Sequence, residues 1–284
     1  MKLRRALMAF GLATFLTAGT AVAASAITGG EVDGDGHPNV ALIAFYTGAG
    51  RSRCTATLVS PTVLVTAAHC TDGTVGKTAV TFETLVDDAP PADLPGAADP
   101  AAGYTAAELA DAGYLSGTAY THPGYSHFTD KKNWNDVGVV VLDSPVTDIE
   151  PATIAPSGYL DQFRPNVLST TFFTTVGYGT EITQSGPGPH KPTPQDYPIV
   201  RRFAQQPGQK LSAQLLQVNG NDRDPRGTGG TCYGDSGGPA FHDGYQVSVT
   251  SYGLGSVCRN LDGLQRIDIP VVQDWLATFG VAAG

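Results

Sequence analysis

The stretch Gly234-Asp235-Ser236-Gly237-Gly238-Pro239 places a serine among glycines. A serine hydroxyl is a weak nucleophile unless a tight turn presents it and a base accepts its proton. The glycines permit such a turn, and they leave the N–H groups of Gly234 and Ser236 free to point at one spot as an oxyanion hole. The stretch therefore predicts a nucleophile loop for acyl transfer rather than a glycine-rich surface turn.

Two upstream segments contain the base and the carboxylate that such a serine requires. The apolar segment Leu64–Cys70 includes His69, and the segment Asn135–Leu142 places Asp136 at the head of an apolar, strand-like run. Taken singly, the histidine is compatible with a core residue and the aspartate with a strand-end cap. The order His69, Asp136, Ser236 is one of the three chain orders known for a Ser-His-Asp triad. These three residues are therefore the candidate catalytic residues.

With these motifs the chain resembles the chymotrypsin/trypsin family of secreted serine endopeptidases, from about Ile27 to the C-terminus. The resemblance implies an all-β fold of two six-stranded antiparallel barrels with a C-terminal helix. The active site would lie in the cleft between the N-terminal barrel, about residues 27–150, and the C-terminal barrel, about residues 151–284. The implied activity is hydrolysis of protein or peptide substrates through an acyl-enzyme, with no cofactor and no metal.

The first 26 residues have the features of a secretory signal peptide. A start with three basic residues precedes an apolar stretch from Ala6 to about Ala24, and small residues follow. The pattern predicts a secreted, extracellular protein. Four cysteines in an exported chain then predict two disulfides, for which three pairings exist. The family resemblance selects Cys54–Cys70 and Cys232–Cys258.

Residues 27–30, Ile-Thr-Gly-Gly, resemble the new N-terminus that this family exposes on activation. The resemblance implies that the freed Ile27 amine pairs with Asp235, because a buried carboxylate is costly without a charged partner. Cleavage after Ala26 would release this amine directly. Cleavage after Ala23 would instead leave residues 24–26 as a short activation peptide.

The family resemblance also indicates which substrate side chain the specificity pocket would prefer. Members that prefer Arg or Lys have an aspartate six residues before the nucleophile, where this chain has Gly230 followed by Thr231. Residues Ser251, Tyr252 and Gly253 resemble the substrate-binding strand, and Gly253 and Gly263 would leave the pocket walls open. These residues predict a neutral pocket for large apolar side chains. A slip of one residue would put Asp262 in the wall and restore a preference for basic residues.

Short apolar runs separated by Gly and Pro predict many strands. The predicted strands are Asn39–Phe45, Ala56–Val59, Val63–Ala67, Val137–Leu142, Thr171–Gly177 and Val247–Tyr252. Helical spacing of apolar residues after Pro270 predicts a C-terminal helix packed against the second barrel. The stretches Asp87–Gly117 and Gly179–Pro198 are expected to be surface loops, the first with a short helix at Thr105–Ala112.

The charge of the chain argues against two classes of binding partner. The formal net charge is −9, which argues against nucleic acid and anionic membranes, because both favour basic surfaces. A monomer is expected. Two other functions remain open from the residues: an esterase or amidase that uses the same triad, and a non-catalytic secreted binding protein on the protease fold.

Overall fold

A computed structural model describes residues 27–89, 94–183, 193–195, 197–226, 229–254 and 258–284. The predicted signal peptide, with both of its candidate cleavage sites, lies outside the described residues. Among the described residues, none of the helices has the length and apolar character needed to cross a membrane.

The first half of the chain forms a closed antiparallel barrel. Its strands are β1 (Glu31–Val32), β2 (Val40–Thr47), β3 (Gly50–Ser60), β4 (Val63–Thr66), β5 (Val75–Thr81), β6 (Leu85–Asp87), β7 (Leu115–Thr121) and β8 (Gly138–Leu142). Six of them close in the order β2-β3-β4-β8-β7-β5. β1 and β6 pair instead with strands of the second half.

The second half forms the other barrel. Its strands are β9 (Thr153–Ile154), β10 (Phe172–Gly177), β11 (Glu181–Thr183), β12 (Thr193–Gln195), β13 (Ile199–Val200), β14 (Arg202–Leu211), β15 (Leu215–Asn219), β16 (Pro239–His242), β17 (Tyr245–Gly253) and β18 (Leu261–Arg266). The order β14-β10-β16-β17-β18-β15 closes because β15 pairs back to β14. The expected pair of six-stranded barrels is confirmed.

Strand β2 explains how the barrels meet. All but the last of its residues are buried, because its two faces belong to different cores. Ile43 and Phe45 point into the first barrel, whereas Leu42 and Tyr46 pack with Tyr178 of the second half. A strand buried on both faces needs a continuous apolar run rather than an alternating one, which is the pattern of this segment.

Three α-helices lie outside the barrel walls among the described residues: α1 (Ala106–Asp111), α2 (Pro165–Leu168) and α3 (Pro270–Ala277). The predicted C-terminal helix is thus present as α3. Its buried residues Val272 and Leu276 share one core cluster with Val65 of the first barrel and Val249 of the second. The helix therefore packs against the second barrel, as predicted, and also against the first.

The two predicted loops contain more regular structure than expected. The short helix in the first is present as α1, with Thr105 and Glu108 forming a capping box. The C-terminal end of this predicted loop, Asp87–Gly117, already belongs to β7, which begins at Leu115. In the second, the short strands β11 and β12 pair as an antiparallel ladder. Composition alone did not indicate these strands, because both are held by pairing rather than by an apolar pattern.

Candidate active site

His69 lies on a short 3-10 helix, Ala68–Cys70, that directly follows β4. Its neighbours Ala67 and Ala68 are fully buried, so the backbone can enter the core while the imidazole remains 23 % exposed. A disulfide joins Cys70 to Cys54 on β3. The turn that carries His69 is therefore attached to the barrel wall on both sides.

Asp136 is fully buried and precedes β8. Its Oδ2 lies 2.9 Å from His69 Nδ1, and its Oδ1 accepts a hydrogen bond from the His69 backbone N–H at 3.0 Å. Ser251 Oγ donates to Oδ2 at 2.6 Å. Because the carboxylate can only accept, His69 Nδ1 is the donor of this hydrogen bond, and Nε2 is the ring nitrogen that Asp136 does not engage.

Three side chains that sequence reasoning missed support this arrangement. Trp134 Nε1 donates to Ser251 Oγ at 2.9 Å, and Gln265 Oε1 accepts the Asp136 backbone N–H at 3.0 Å. Gln265 is in turn held by Gln214, whose side-chain oxygen lies 3.2 Å from Gln265 Nε2. None of these residues carries a sequence signal, because each contact joins positions far apart in the chain.

The predicted nucleophile loop forms the other side of the cleft. Ser236 and Gly234 line the same cavity as His69, a cleft of about 580 Å³. Gly237 has φ +76°, and a Cβ there would lie 2.0 Å from Thr66 Oγ1. Only glycine fits such a left-handed position against a neighbouring side chain, which explains the glycine directly after the serine.

Thr55 of the first barrel fixes two carbonyls of this loop. Its Oγ1 donates to the Gly234 carbonyl at 2.9 Å, and its backbone N–H donates to the Ser236 carbonyl at 2.8 Å. Within the described ranges, the N–H groups of Gly234 and Ser236 donate to no protein acceptor. Two donors are thus left near the serine hydroxyl, as an oxyanion hole requires.

Asp235 points away from the cleft into the protein. It is 1 % exposed, and its carboxylate accepts hydrogen bonds from the N–H groups of Gly179 at 2.7 Å and Cys232 at 2.8 Å. Burial raises the pKa of this carboxyl to about 7 despite these two bonds. A buried carboxyl with a raised pKa is a group that a cation would stabilise.

The segment that begins at Ile27 is anchored beside the nucleophile loop. Ile27 is fully buried, and Thr28 exchanges both backbone hydrogen bonds with Gly230, at 3.0 and 2.9 Å. In the full chain the Ile27 nitrogen is part of a peptide bond and carries no charge. The expected pairing with Asp235 therefore requires cleavage before Ile27.

A second cavity, of about 420 Å³, opens beside Ser236. The residues that line it are Thr231, Cys232, Tyr233, Ser236, Thr250, Tyr252, Gly253 and Cys258. The disulfide Cys232–Cys258 forms part of its wall. Thr231, Tyr252 and Gly253 are thus on the predicted pocket, whereas the buried Ser251 side chain serves Asp136 instead.

The register of β17 against β18 decides which residue faces Gly253. Thr250 pairs with Leu264, but Tyr252 pairs with Gly263, so a bulge at Ser251 adds one residue to β17. Gly253 therefore pairs with Asp262. Gly263 lies under the ring of Tyr252, where a Cβ would come within 2.1 Å of the ring. Gly263 therefore faces the Tyr252 ring, and Asp262 is the residue opposite Gly253.

Asp262 takes the place that was expected for Gly263. Directly paired residues share a face of the sheet, and Asp262 Oδ1 would lie 3.4 Å from a Cβ on Gly253. Its Oδ2 accepts hydrogen bonds from Thr231 N–H at 2.8 Å and Gln206 Nε2 at 2.6 Å. Burial raises the pKa of Asp262 to about 6. The pocket therefore has an acid directly behind its lining.

Only one cluster of metal-ligand side chains lies among the described residues: Cys54, His69 and Cys70. Its two cysteines are joined in a disulfide, so their sulfur atoms are not thiolates. The group is a poor metal site, because thiolate is the form of cysteine that binds metals.

Known proteins resemble this chain over most of its length. The family model described as Trypsin matches residues 27–276. A trypsin of Saccharopolyspora erythraea is 28% identical over 233 residues, which cover 81% of this chain and 87% of that protein. A brachyurin of Leptuca pugilator is 29% identical over 233 residues, with 79% and 86% covered. The HL collagenase structure has the same fold, with a TM-score of 0.60, 16% identity, and coverage of 86% of this chain and 94% of that chain.

Proposed function

We propose that this chain, which belongs to the trypsin family of serine endopeptidases, is secreted and cleaves peptide bonds through Ser236, His69 and Asp136. The observation that carries the proposal is the bond between the buried Asp136 carboxylate and His69 Nδ1, at a cleft that Ser236 lines from the other side. This is the arrangement that converts a histidine into a general base for a serine.

The proposed mechanism follows from the hydrogen bonds between Asp136 and His69. His69 Nε2 accepts the Ser236 proton as the serine oxygen attacks the peptide carbonyl, and Asp136 stabilises the resulting imidazolium. The N–H groups of Gly234 and Ser236 bind the oxyanion of the tetrahedral intermediate. The imidazolium then protonates the leaving amine, and water hydrolyses the acyl-enzyme by the same steps. No cofactor or metal takes part.

An unstructured protein substrate tests this function. Purified secreted protein should cut it at mapped bonds and should react at Ser236 with a phosphonate directed at active serines. Labelling with ester hydrolysis but no peptide cleavage would indicate an esterase or amidase. An intact substrate together with an unlabelled Ser236 would identify a non-catalytic binding protein on the protease fold.

We further propose that Asp262 makes the specificity pocket favour Arg and Lys. Its carboxylate lies behind Gly253 and Thr231, at the position where the register puts a wall residue. A cationic side chain in the pocket would gain a buried charge partner there, although Gly230 offers none. The neutral pocket predicted for large apolar side chains is the competing assignment, because Gln206 and Thr231 already satisfy one carboxylate oxygen.

The preference for Arg over Phe should increase as the pH rises. Because the pKa of Asp262 is raised to about 6, the carboxylate is charged above that pH and neutral below it. We expect kcat/KM for an Arg substrate, divided by kcat/KM for the matched Phe substrate, to rise as the pH passes about 6. The ratio removes the pH dependence of the triad, which both substrates share.

Removing the charge of Asp262 should abolish this pH dependence of the Arg/Phe ratio. Loss of a buried charge partner costs about 2–5 kcal/mol, so Asp262→Asn should lower the Arg/Phe ratio by about 30-fold or more. Asp243→Asn, at an exposed position, serves as the control. A ratio that favours Phe at every pH in the unmodified protein would leave the triad intact but show the pocket to be neutral.

Maturation is a further part of the proposal. We expect secreted protein to start at Ile27, since cleavage after Ala26 frees the amine that would pair with the buried Asp235. A chain that starts one residue earlier, at Ala26, should lose about a hundredfold or more in kcat/KM, because a buried charge without its partner is strongly destabilising. N-terminal sequencing decides the cleavage site: a start at Ala24 would contradict direct activation.

A further inference from the structure

A row of aromatic rings leads away from the catalytic histidine. Phe128 lies 5.6 Å from His69, Trp134 lies 5.3 Å from Phe128, and Tyr252 lies 5.5 Å from Trp134, all between ring centroids. Phe128 is 43% exposed, and Tyr252 also lines the specificity pocket. This aromatic row (His69, Phe128, Trp134 and Tyr252) therefore borders the cleft on the side next to β17.

A small cavity of about 180 Å³ lies at the far end of the aromatic row. It is lined by Lys131, Trp134, Lys210, Ser212, Leu215, Gln217 and Tyr252, and we call it the lysine pocket. Gln217 Nε2 donates to Tyr252 Oη at 3.0 Å, which holds the ring that separates this cavity from the specificity pocket. The two cavities thus share one wall.

The two lysines reach this cavity from different parts of the fold. Lys131 lies between β7 and β8, and Lys210 lies on β14. Both are exposed, and across the part of the chain that the structure describes neither forms an ion pair. By contrast, Lys77 has a partner, Asp143, at 2.6 Å. In a chain with a net charge of −9, two cations without partners at one cavity are a local reversal of charge.

We propose that the lysine pocket binds an acidic side chain of the substrate, that of the fourth residue before the scissile bond. The inference rests on the proposed peptidase function. An extended substrate advances about 3.3 Å per residue, and alternate side chains share a face. If the second residue before the bond packs on His69 and Phe128, the fourth lies about 7 Å farther along the same face, beyond Trp134.

We expect a modest preference for Glu over Gln, and salt should reduce this preference. Ion pairs between exposed groups are weak one by one, so two lysines should together favour Glu over Gln at this position by about fivefold in kcat/KM. Screening by salt should bring the ratio close to one at about 1 M ionic strength. The acidic charge of the whole chain would act in the opposite direction, so a preference for Glu must come from a local cation.

The experiment compares two peptide substrates that differ only in Glu or Gln at the fourth position before the bond. It uses the mature enzyme, the residue before the bond that mapping shows to be preferred, and the variants Lys131→Gln, Lys210→Gln and their combination. Lys132→Gln is the matched control, because Lys132 adjoins Lys131 in sequence but does not line the pocket. We expect the Glu/Gln ratio to fall to about one in the double variant and to stay unchanged in the control.

Two results would overturn the inference while leaving the peptidase function standing. One is equal hydrolysis of both substrates by the unmodified enzyme at low salt. The other is a Glu preference that persists in the double variant. Failure to cleave either substrate, together with no labelling of Ser236, would instead refute the proposed function and this inference with it.

Discussion

Ser236→Ala should lower kcat by about a millionfold, since a serine peptidase without its nucleophile retains only the catalysis supplied by binding and the oxyanion hole. The substitution removes one oxygen from a half-buried position, and the bonds from Thr55 to the loop carbonyls do not involve the serine side chain. The fold should therefore be retained. Single-turnover and steady-state rates on a peptide substrate measure the effect.

The control for this variant is Ser157→Ala, at an exposed position outside the cleft. It should retain full activity, and both variants should melt at the temperature of the unmodified protein. A Ser236→Ala variant with a rate within tenfold of the unmodified enzyme would refute the nucleophile assignment. A rate lost together with the folded state would point to a structural fault, which the melting curve detects.

Asp136→Asn should lower kcat by about ten-thousandfold at neutral pH. The Asp136 carboxylate accepts hydrogen bonds from three donors: His69 N–H, His69 Nδ1 and Ser251 Oγ. An asparagine offers one oxygen and an NH2 group that can only donate, so one of these contacts becomes a clash of donors. The imidazole escapes it by moving its proton to Nε2, which removes the base that Ser236 needs.

A control variant and the labelling of Ser236 separate this loss of kcat from a loss of structure. Asp274→Asn, at an exposed position of α3, should leave kcat unchanged. In Asp136→Asn, labelling of Ser236 by the phosphonate should slow in parallel with peptide hydrolysis, because both need the same base. Unchanged labelling with lost peptide cleavage would place the role of Asp136 outside nucleophile activation.

Much of this site was open to prediction because its motifs are local. The glycines around the serine, and the aspartate ahead of an apolar strand, are each recognised from residues that are neighbours in the chain. The contacts that hold the proposed catalytic residues in place are not local: Trp134 donates to Ser251 and Gln265 accepts from Asp136, each across more than a hundred residues. A single sequence contains no pattern that could have indicated them.

The specificity pocket shows a different limit. The sequence offers both Asp262 and Gly263 as candidates for the pocket wall, and a difference of one residue in the register of β17 against β18 separates the two assignments. The deciding feature is the bulge at Ser251, since a shift of one residue moves every later side chain to the other face of the sheet. At the bulge the Ser251 side chain bonds to Asp136, which lies 115 residues away in the chain, and no pattern near Ser251 in the sequence indicates either feature.

The bonds from Thr55 to the nucleophile loop also have a thermodynamic consequence. This one residue of the first barrel holds the carbonyls on either side of Asp235 in the second barrel, while β2 keeps a face in each hydrophobic core. Neither half can unfold without exposing the other's apolar surface and taking apart the cleft that Ser236 and His69 line. The two barrels therefore form one cooperative unit, and thermal inactivation should follow a single transition shared by both halves.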